Sequence, residues 1–304
     1  MSGPEAPPAP RGRVGYLGPA GTFSEEALLA SAEDGAVEPI PLASIYETVM
    51  ALRRGELDWA IVPIENSLEG SINATLDLLA DEASDVRIVG EAILRVRHAL
   101  IAAEPTTPGE ITTVLSHPQV PGQCTRFLRS ELAQARILPA ASTAEAVRTV
   151  VAQGGRATAA LGTELAAEIY GATVVRRGVE DSEDNQTRFV WLATAERAAA
   201  EPPLRSRGTG QWRCSIVFWG AGAAHPGWLV RCLGEFAARD INLTRIESRP
   251  RRTRIGSYMF FAELAARDDD PAVGEALAGL AGLCEQVRVL GSYRTAPALP
   301  GAAS

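Results

Sequence analysis

Residues 13–27, RVGYLGPAGTFSEEA, establish the pattern on which the fold is built. The apolar run over 13–17 predicts a β-strand, and the GPAG that follows predicts a tight turn. Thr22 and Glu25 then form a capping box that opens a helix. Strand, glycine turn and helix N-terminus in this order suit an anion, although a plain strand-to-helix connection explains the same residues. Thr22 and Phe23 are therefore candidate substrate contacts.

The same alternation of strand and helix continues along the chain. Ser44 and Glu47 form a second capping box, and the apolar residues 59–62 predict a buried strand. The polar loop ENSLEGS at 65–71 follows that strand, and open α/β sheets bind ligands beyond the carboxyl ends of their strands. The site candidates in this loop are Glu65, Asn66, Ser67 and Ser71. Ser71 also suits a helix cap, a role that is compatible with binding.

A second lobe is predicted for residues 89–162, with the first lobe at 13–88 and 163–195. Two α/β lobes joined by two crossings form a hinged cleft, as in periplasmic binding proteins. A loop after a predicted strand brings polar side chains of the second lobe to this cleft. These candidates are Ser116, His117, Gln119 and Gln123. His117 suits proton transfer near neutral pH, although a histidine before proline also closes turns.

The densest group of functional side chains is the pentapeptide NQTRF at 185–189, where the chain is back in the first lobe. Alternate side chains of an extended segment share a face, so Asn185, Thr187 and Phe189 point one way and Arg188 points the other. One face of the segment then carries hydrogen-bonding and apolar groups, and a cation lies on the opposite face. This arrangement suits a small anionic substrate that loses a leaving group in a site from which water is excluded. A strand end with ordinary surface polarity is the alternative interpretation.

Composition excludes several classes of function. The net charge of -8 and the pI near 5.1 argue against nucleic-acid and anionic-membrane binding. All 29 basic residues are arginine, which excludes lysine Schiff-base chemistry and a P-loop ending in GK[ST]. The cysteines and histidines lack metal-ligand spacing, so neither a metal nor a disulfide is expected. With no signal peptide and no apolar run long enough to span a membrane, we expect a cytoplasmic protein.

The rest of the sequence divides into a linker, a small domain and two tails. Residues 196–211 mix Pro, Gly, Ala and charge, which indicates a linker after a first domain at 13–195. Residues 212–295 show the order βαββαβ, which predicts a ferredoxin-like unit. Residues 1–12 are interpreted as a disordered tail and 296–304 as a second tail.

Five short motifs occur in order along the chain. They are YLGPAGTFSEEA at 16–27, VPIENSLEGS at 62–71, SHPQVPGQC at 116–124, DNQTRF at 184–189 and NLTRIESRP at 242–250. The first four resemble the prephenate dehydratase family, and the fifth resembles the ACT domain, an amino-acid-sensing module that these enzymes carry. Each motif alone is weak, but five in order with matching spacing make coincidence very improbable. The resemblance covers nearly the whole chain.

The resemblance implies a carbon–oxygen lyase of phenylalanine biosynthesis. Such an enzyme converts prephenate to phenylpyruvate with loss of water and carbon dioxide, without a cofactor or a metal. The resemblance makes Thr187 essential and places Arg188, Phe189 and the ENS and HPQ loops at the cleft. Phe23 and Phe189 are expected to form an apolar wall. The alternatives are arogenate as the preferred substrate, or a non-catalytic regulator that binds a small molecule.

The expected chemistry is hydrogen bonding to the leaving hydroxyl. Thr187 is expected to donate that hydrogen bond or to relay a proton, because a threonine hydroxyl is too weak an acid to act alone. Arg188 and the helix N-termini near Thr22 and Ser71 are expected to bind carboxylates. The proton source stays open between Thr187 through water, Glu65 and His117.

For the ACT unit, the resemblance implies phenylalanine as an effector bound between two copies of the chain, and hence a homodimer or homotetramer. The regulatory candidates are Gly227, Trp228, Leu229, Asn242, Leu243, Glu247, Ser248, Arg249 and Pro250. Trp228 departs from the family pattern, in which this loop reads close to GAL, and its bulk is expected to fill or reshape the pocket. Cys214 and Ser215 replace the usual Thr-Ser of the first strand. We therefore expect phenylalanine regulation with altered affinity or sign.

Overall fold

The computed structural model describes residues 12–206, 208, 210–220, 222 and 225–297. Most of the two predicted tails (1–11 and 298–304) and linker positions 207 and 209 lie outside the described residues. The strands are β1 Gly12–Leu17, β2 Val37–Leu42, β3 Trp59–Asn66, β4 Gly70–Ser71, β5 Val86–Arg95, β6 Ala99–Ala102, β7 Thr113–Ser116, β8 Arg136–Pro139, β9 Thr158–Gly162, β10 Thr173–Arg177, β11 Gln186–Thr194, β12 Trp212–Trp219, β13 Leu243–Pro250, β14 Tyr258–Leu264 and β15 Gln286–Arg294. The helices are α1 Phe23–Ser31, α2 Ile45–Arg53, α3 Asn73–Ala80, α4 Val120–Gln123, α5 Thr125–Glu131, α6 Thr143–Gln153, α7 Glu164–Tyr170, α8 Trp228–Ala237 and α9 Pro271–Ala281. None of the helices in the described residues has the length and apolar composition that a membrane crossing requires.

The first lobe is a mixed sheet with the strand order β2-β1-β3-β11-β5, and the short β4 pairs with β3. Strand β1 runs parallel to β2 and β3, whereas β11 enters between β3 and β5 and is antiparallel to both. One face of the sheet buries Tyr16 and Trp191 beneath α1, and the other buries Val190 and Leu192. The pentapeptide that begins β11 is therefore held on both sides by neighbouring strands.

The second lobe is a five-stranded sheet in the order β10-β6-β9-β7-β8. Its extent differs from the prediction, because β5 belongs to the first sheet and β10, expected in the first lobe, pairs antiparallel with β6 of the second. Helix α7, also expected in the first lobe, packs beside α6. A strand such as β10 can join the edge of either sheet. Its apolar pattern does not reveal which of the two edges it will join.

The C-terminal domain is an antiparallel sheet in the order β13-β14-β12-β15. Helices α8 and α9 cover one face, and the βαββαβ order confirms the ferredoxin-like prediction. The other face docks on the first lobe, where Phe261 packs in one apolar cluster with Leu192. The approach is close at Gly291, since a side chain at that position would collide with the Ile88 carbonyl.

Candidate active site

Asn66, the last residue of β3, organises the side chains around the pentapeptide. Its buried amide donates hydrogen bonds to Thr187 Oγ1 and Asn185 Oδ1, both at 2.9 Å. Its Oδ1 atom accepts from the backbone N–H groups of Leu68 and Glu69 at 2.9 and 3.0 Å, which fixes the turn of the ENSLEGS loop. Because both polar atoms of this buried amide are used, the loop and the pentapeptide are held together.

Thr187 lies near the start of β11, an inner strand of the first sheet. Its backbone is aligned with Asn66 of β3 on one side and with Leu94 of β5 on the other. Because Oγ1 accepts the hydrogen bond from Asn66, its own proton points elsewhere. Among the described residues, this hydroxyl donates no hydrogen bond to another protein group. The site therefore contains a fixed hydroxyl with an unused donor.

Glu69 bridges the two lobes. Its carboxylate accepts hydrogen bonds from the side-chain amides of Gln119 at 2.6 Å and Gln123 at 2.9 Å, both in the second lobe. Gln123 Oε1 in turn accepts from Asn185 Nδ2 at 3.0 Å. A cavity of about 260 Å³ lies beside this bridge, and its lining includes Glu69, Gln123 and Asn185. The bridge therefore connects the second lobe to the side of β11 on which Thr187 lies.

His98 joins this cluster, and sequence reasoning missed it. The imidazole is buried, its Nε2 atom lies 3.1 Å from Gln123 Oε1, and its ring packs edge-on against Phe23 with centroids 5.3 Å apart. Burial lowers the pKa of His98, so the ring is neutral at pH 7 and Nε2 donates to Gln123. No local signal marks His98, because the chain brings Phe23 and Gln123 to it from other elements. Glu69 was also missed, although it lies within a motif.

Thr22 is buried and serves its own helix. Its hydroxyl accepts from the Glu25 N–H group at 3.4 Å and donates to the Leu17 carbonyl at 2.8 Å. The Glu25 carboxylate accepts from the Gly21 N–H group at 2.5 Å, so a side chain already occupies the anion position of this turn. The structure therefore contradicts the expected contact of Thr22 with substrate and supports a plain strand-to-helix connection.

Arg188 does not face the cleft. As the alternation predicts, it points away from Thr187, and its guanidinium binds Glu65 at 2.8 Å, Glu91 at 3.4 Å and Glu263 at 2.6 Å. Only 9% of its side chain is exposed. The structure contradicts the expectation that Arg188 binds a substrate carboxylate, because three protein carboxylates already surround it.

Glu65 and Ser71 lie on the same side as Arg188. Successive strand residues point to opposite faces, so Glu65 points away from the side chain of Asn66. Ser71 Oγ donates to Glu247 Oε2 at 2.7 Å, and α3 begins after Ile72 as its N-cap. Glu65 is therefore not placed to supply the proton. Ser71 is placed neither to bind a substrate carboxylate nor to cap a helix.

Ser116 and His117 form the turn between β7 and α4. The buried Ser116 hydroxyl donates to the His117 carbonyl at 3.2 Å, and His117 Nδ1 accepts from the Gln119 N–H group at 3.4 Å. These contacts agree with the interpretation that His117 closes a turn. The Gln119 side chain lies at the cleft, where it donates to Glu69.

Ser67 and Phe189, both expected at the site, lie in different surroundings. Ser67 Oγ accepts from the Gln186 N–H group at 3.0 Å, beside the pentapeptide. Phe189 is 2% exposed and packs in the core of the first lobe with Tyr16. Phe189 is therefore a core residue, and the structure contradicts its expected place in the cleft wall.

Trp228 lies inside the core of the C-terminal domain. Its ring packs against Phe218 and Phe260, and Nε1 donates to the Leu283 carbonyl at 2.7 Å. The expectation that its bulk fills a ligand pocket is therefore corrected. Gly227 before it is the N-cap of α8, with a φ of 75°, a left-handed conformation that favours glycine.

The other regulatory candidates lie on or beside β13. Glu247 and Arg249 face the first lobe, where Arg249 pairs with Asp77 at 2.9 Å. Leu229 and Leu243 pack against the core of their own domain. Among the described strands β13 pairs only with β14, so one edge is open. The exposed candidates near this strand are Asn242, Ser248 and Pro250.

These observations define a protein of two α/β lobes, with a cluster of polar side chains around Thr187 between them, and a fused ferredoxin-like domain. Residues 14–197 match the family model described as Prephenate dehydratase, and residues 224–282 match the ACT domain model. The chain belongs to the prephenate dehydratase family, carbon–oxygen lyases that convert prephenate to phenylpyruvate. This identification sets aside the non-catalytic regulator that the sequence also allowed.

Named prephenate dehydratases are similar to this chain over most of its length, and so is one solved structure that is described by another activity. The prephenate dehydratase of Mycobacterium sp. (strain JLS) is 42% identical over 94% of this chain and 90% of its own length. That of Mycobacterium tuberculosis (strain ATCC 25177 / H37Ra) is 37% identical over 94% and 88%. The prephenate dehydratase of Arthrobacter aurescens in complex with L-Phe superposes with a TM-score of 0.81, 32% identity and coverage of 95% and 93%. GqqA, described as a novel type of quorum quenching acylase, superposes with a TM-score of 0.80, 27% identity and coverage of 93% and 98%.

Proposed function

We propose that Thr187 is the hydrogen-bond donor to the hydroxyl that leaves prephenate. The observation that carries this role is the Asn66 hydrogen bond to Thr187 Oγ1, which uses this oxygen as an acceptor and leaves its proton available to a ligand. A donor held in place before the reaction stabilises developing charge without reorganisation. The neutral amides of Asn185 and Gln123 lie beside it.

The reaction needs little more than holding, drying and hydrogen bonding. When the bond from the ring to its carboxylate breaks, carbon dioxide leaves and the electron pair enters the ring. The carbon–oxygen bond then breaks, hydroxide takes up a proton and leaves as water, and the ring becomes aromatic. Because aromaticity drives these steps, no strong base is required, and Thr187 donates to the departing oxygen or passes it a proton from water.

Glu69 marks the place of a substrate carboxylate. Its carboxylate accepts from Gln119 and Gln123, and a carboxylate of prephenate presents the same two oxygens. Glu69 is exposed, so it leaves the two amides at little cost in free energy. Substrate entry then consists of one carboxylate replacing another between the lobes.

The direct test is turnover of prephenate and of arogenate by the purified full-length chain. At neutral pH, where the acid-driven breakdown of prephenate is slow, phenylpyruvate formed from prephenate is followed by its absorbance in alkali, and phenylalanine formed from arogenate is followed by amino-acid analysis. We expect rapid formation of phenylpyruvate and a lower kcat/KM for arogenate, because the family model and the mycobacterial relatives described above are prephenate dehydratases. A higher kcat/KM for arogenate makes the chain an arogenate dehydratase, and no turnover of either acid contradicts the proposed function.

L-Phenylalanine is the proposed effector of the C-terminal domain, and two such domains paired in a homodimer or homotetramer are its proposed site. Support comes from the ACT match, from the open edge of β13 and from the bound L-Phe named for the Arthrobacter structure. Calorimetry is expected to show saturable binding at millimolar phenylalanine or below, and light scattering at micromolar protein a mass of at least two chains. Absence of binding heat contradicts the proposal that phenylalanine is the effector. A monomeric mass contradicts the proposed site between paired domains.

A further inference from the structure

Three arginines and three glutamates form an ion-pair cluster, buried at its centre, between the first lobe and the C-terminal domain. Its members are Arg188, Glu65 and Glu91 from the first lobe, and Arg213, Arg245 and Glu263 from the C-terminal domain. The exposed fractions of the Glu91 and Glu263 side chains are 1% and 6%. Charges this deep are stable only when each is paired, so the cluster holds its members in defined positions.

Glu263, on β14, is the centre of this cluster. One oxygen accepts from Arg188 at 2.6 Å and from Arg245 at 3.3 Å, and the other lies 3.3 Å from Arg213. Burial alone would raise the pKa of Glu263, but Arg188 and the two other guanidinium groups hold it below the ordinary value. Glu263 is therefore charged throughout the neutral range.

The cluster is one residue away from the proposed donor. Arg188 follows Thr187 on β11, and the strand has an irregular register to β3 between Arg188 and Phe189. Side chains fix the two faces of this strand end separately, Asn66 on the cleft side and Glu263 on the domain side. A change in the position of Glu263 therefore acts on the backbone that carries Thr187.

We propose that Glu263 of the C-terminal domain is a positioning residue for the reaction, which holds Arg188 and through it the Thr187 hydroxyl. The inference rests on the proposed role of Thr187. It assigns the C-terminal domain a part in the active site that does not depend on any effector. Arg245 lies on β13, beside the exposed candidates of the effector site, so the same cluster links that strand to the cleft.

The test compares two substitutions at the same domain interface. Glu263→Gln keeps the side-chain shape and removes the charge, and we expect kcat to fall about 10- to 100-fold, as for a small misplacement of a reacting group. KM is expected to stay within about twofold, because Glu263 is remote from the substrate. Asp77→Asn is the matched control. Asp77 also pairs with an arginine of the C-terminal domain, at 2.9 Å, but it lies on α3, away from β11. Its kcat is expected to remain that of the wild type.

Each outcome supports or overturns the proposal. A folded Glu263→Gln variant with wild-type kcat overturns it, and so does an equal loss of kcat in Asp77→Asn, because interface stability would then explain both. Should Glu263→Gln fail to fold by circular dichroism, Arg245→Gln at the rim of the cluster is measured by the same criteria. A wild-type enzyme without activity on prephenate refutes the proposed function instead, so the two failures are distinguishable.

Discussion

Replacement of Thr187 by valine is expected to lower kcat for prephenate by roughly a hundred- to a thousandfold, the usual effect of losing one preorganised donor. Valine keeps the branched shape that suits the inner strand β11 and replaces only the hydroxyl, by a methyl group. Binding is proposed to depend on other groups, the Gln119 and Gln123 amides, so KM is expected to change by no more than a fewfold. Steady-state formation of phenylpyruvate measures both constants.

Thr187→Ser is the matched control for this prediction. Serine keeps the oxygen that accepts from Asn66 at 2.9 Å and the proton that it directs into the cleft. We expect Thr187→Ser to retain at least a tenth of the wild-type kcat. If Thr187→Val is as active as the wild type, another group supplies the hydrogen bond, and the orientation imposed by Asn66 has no catalytic meaning.

The alternation of side chains in the pentapeptide was the most informative part of the sequence. It correctly placed Thr187 and Arg188 on opposite faces of one strand, because a strand has a period of two residues whatever surrounds it. It did not reveal what each face meets. Arg188 was assigned to substrate because a lone cation beside a predicted cleft has no visible partner in sequence, whereas Glu91 and Glu263 reach it from a neighbouring strand and from another domain.

The two expected anion sites show a similar limit. At Thr22 the Glu25 carboxylate of the same helix occupies the turn by accepting from the Gly21 N–H group, and Ser71 donates to Glu247 of the C-terminal domain. His98 was missed for the opposite reason, since a buried histidine in a crossing segment has no periodic or motif signal. Local patterns therefore predicted the strands and helices well, and contacts between distant elements decided which polar groups remain free.

Arg188→Gln is expected to lower the free energy of unfolding by about 3–5 kcal/mol, because it leaves the buried charges of Glu91 and Glu263 without their central partner. At about 2–4 °C per kcal/mol, Tm falls by roughly 10 °C. Thermal melts by circular dichroism measure this loss. Arg53→Gln is the control, because Arg53 pairs with Asp85 at 2.6 Å with side chains 32% and 50% exposed, and such pairs contribute about 1 kcal/mol or less.

The loss of stability in Arg188→Gln is expected to depend on pH. The pKa of Glu263 is lowered in the folded protein, since the attraction of Arg188 and the other two arginines outweighs burial. A carboxylate with a lowered folded pKa contributes stability above its unfolded pKa, near 4.3 for glutamate, and loses it as the pH falls through the folded value. The difference in Tm between wild type and Arg188→Gln is therefore expected to be constant near pH 7 and to narrow below about pH 4. A difference that is equal at every pH would mean that Arg188 stabilises the interface by packing alone, without the charge on Glu263.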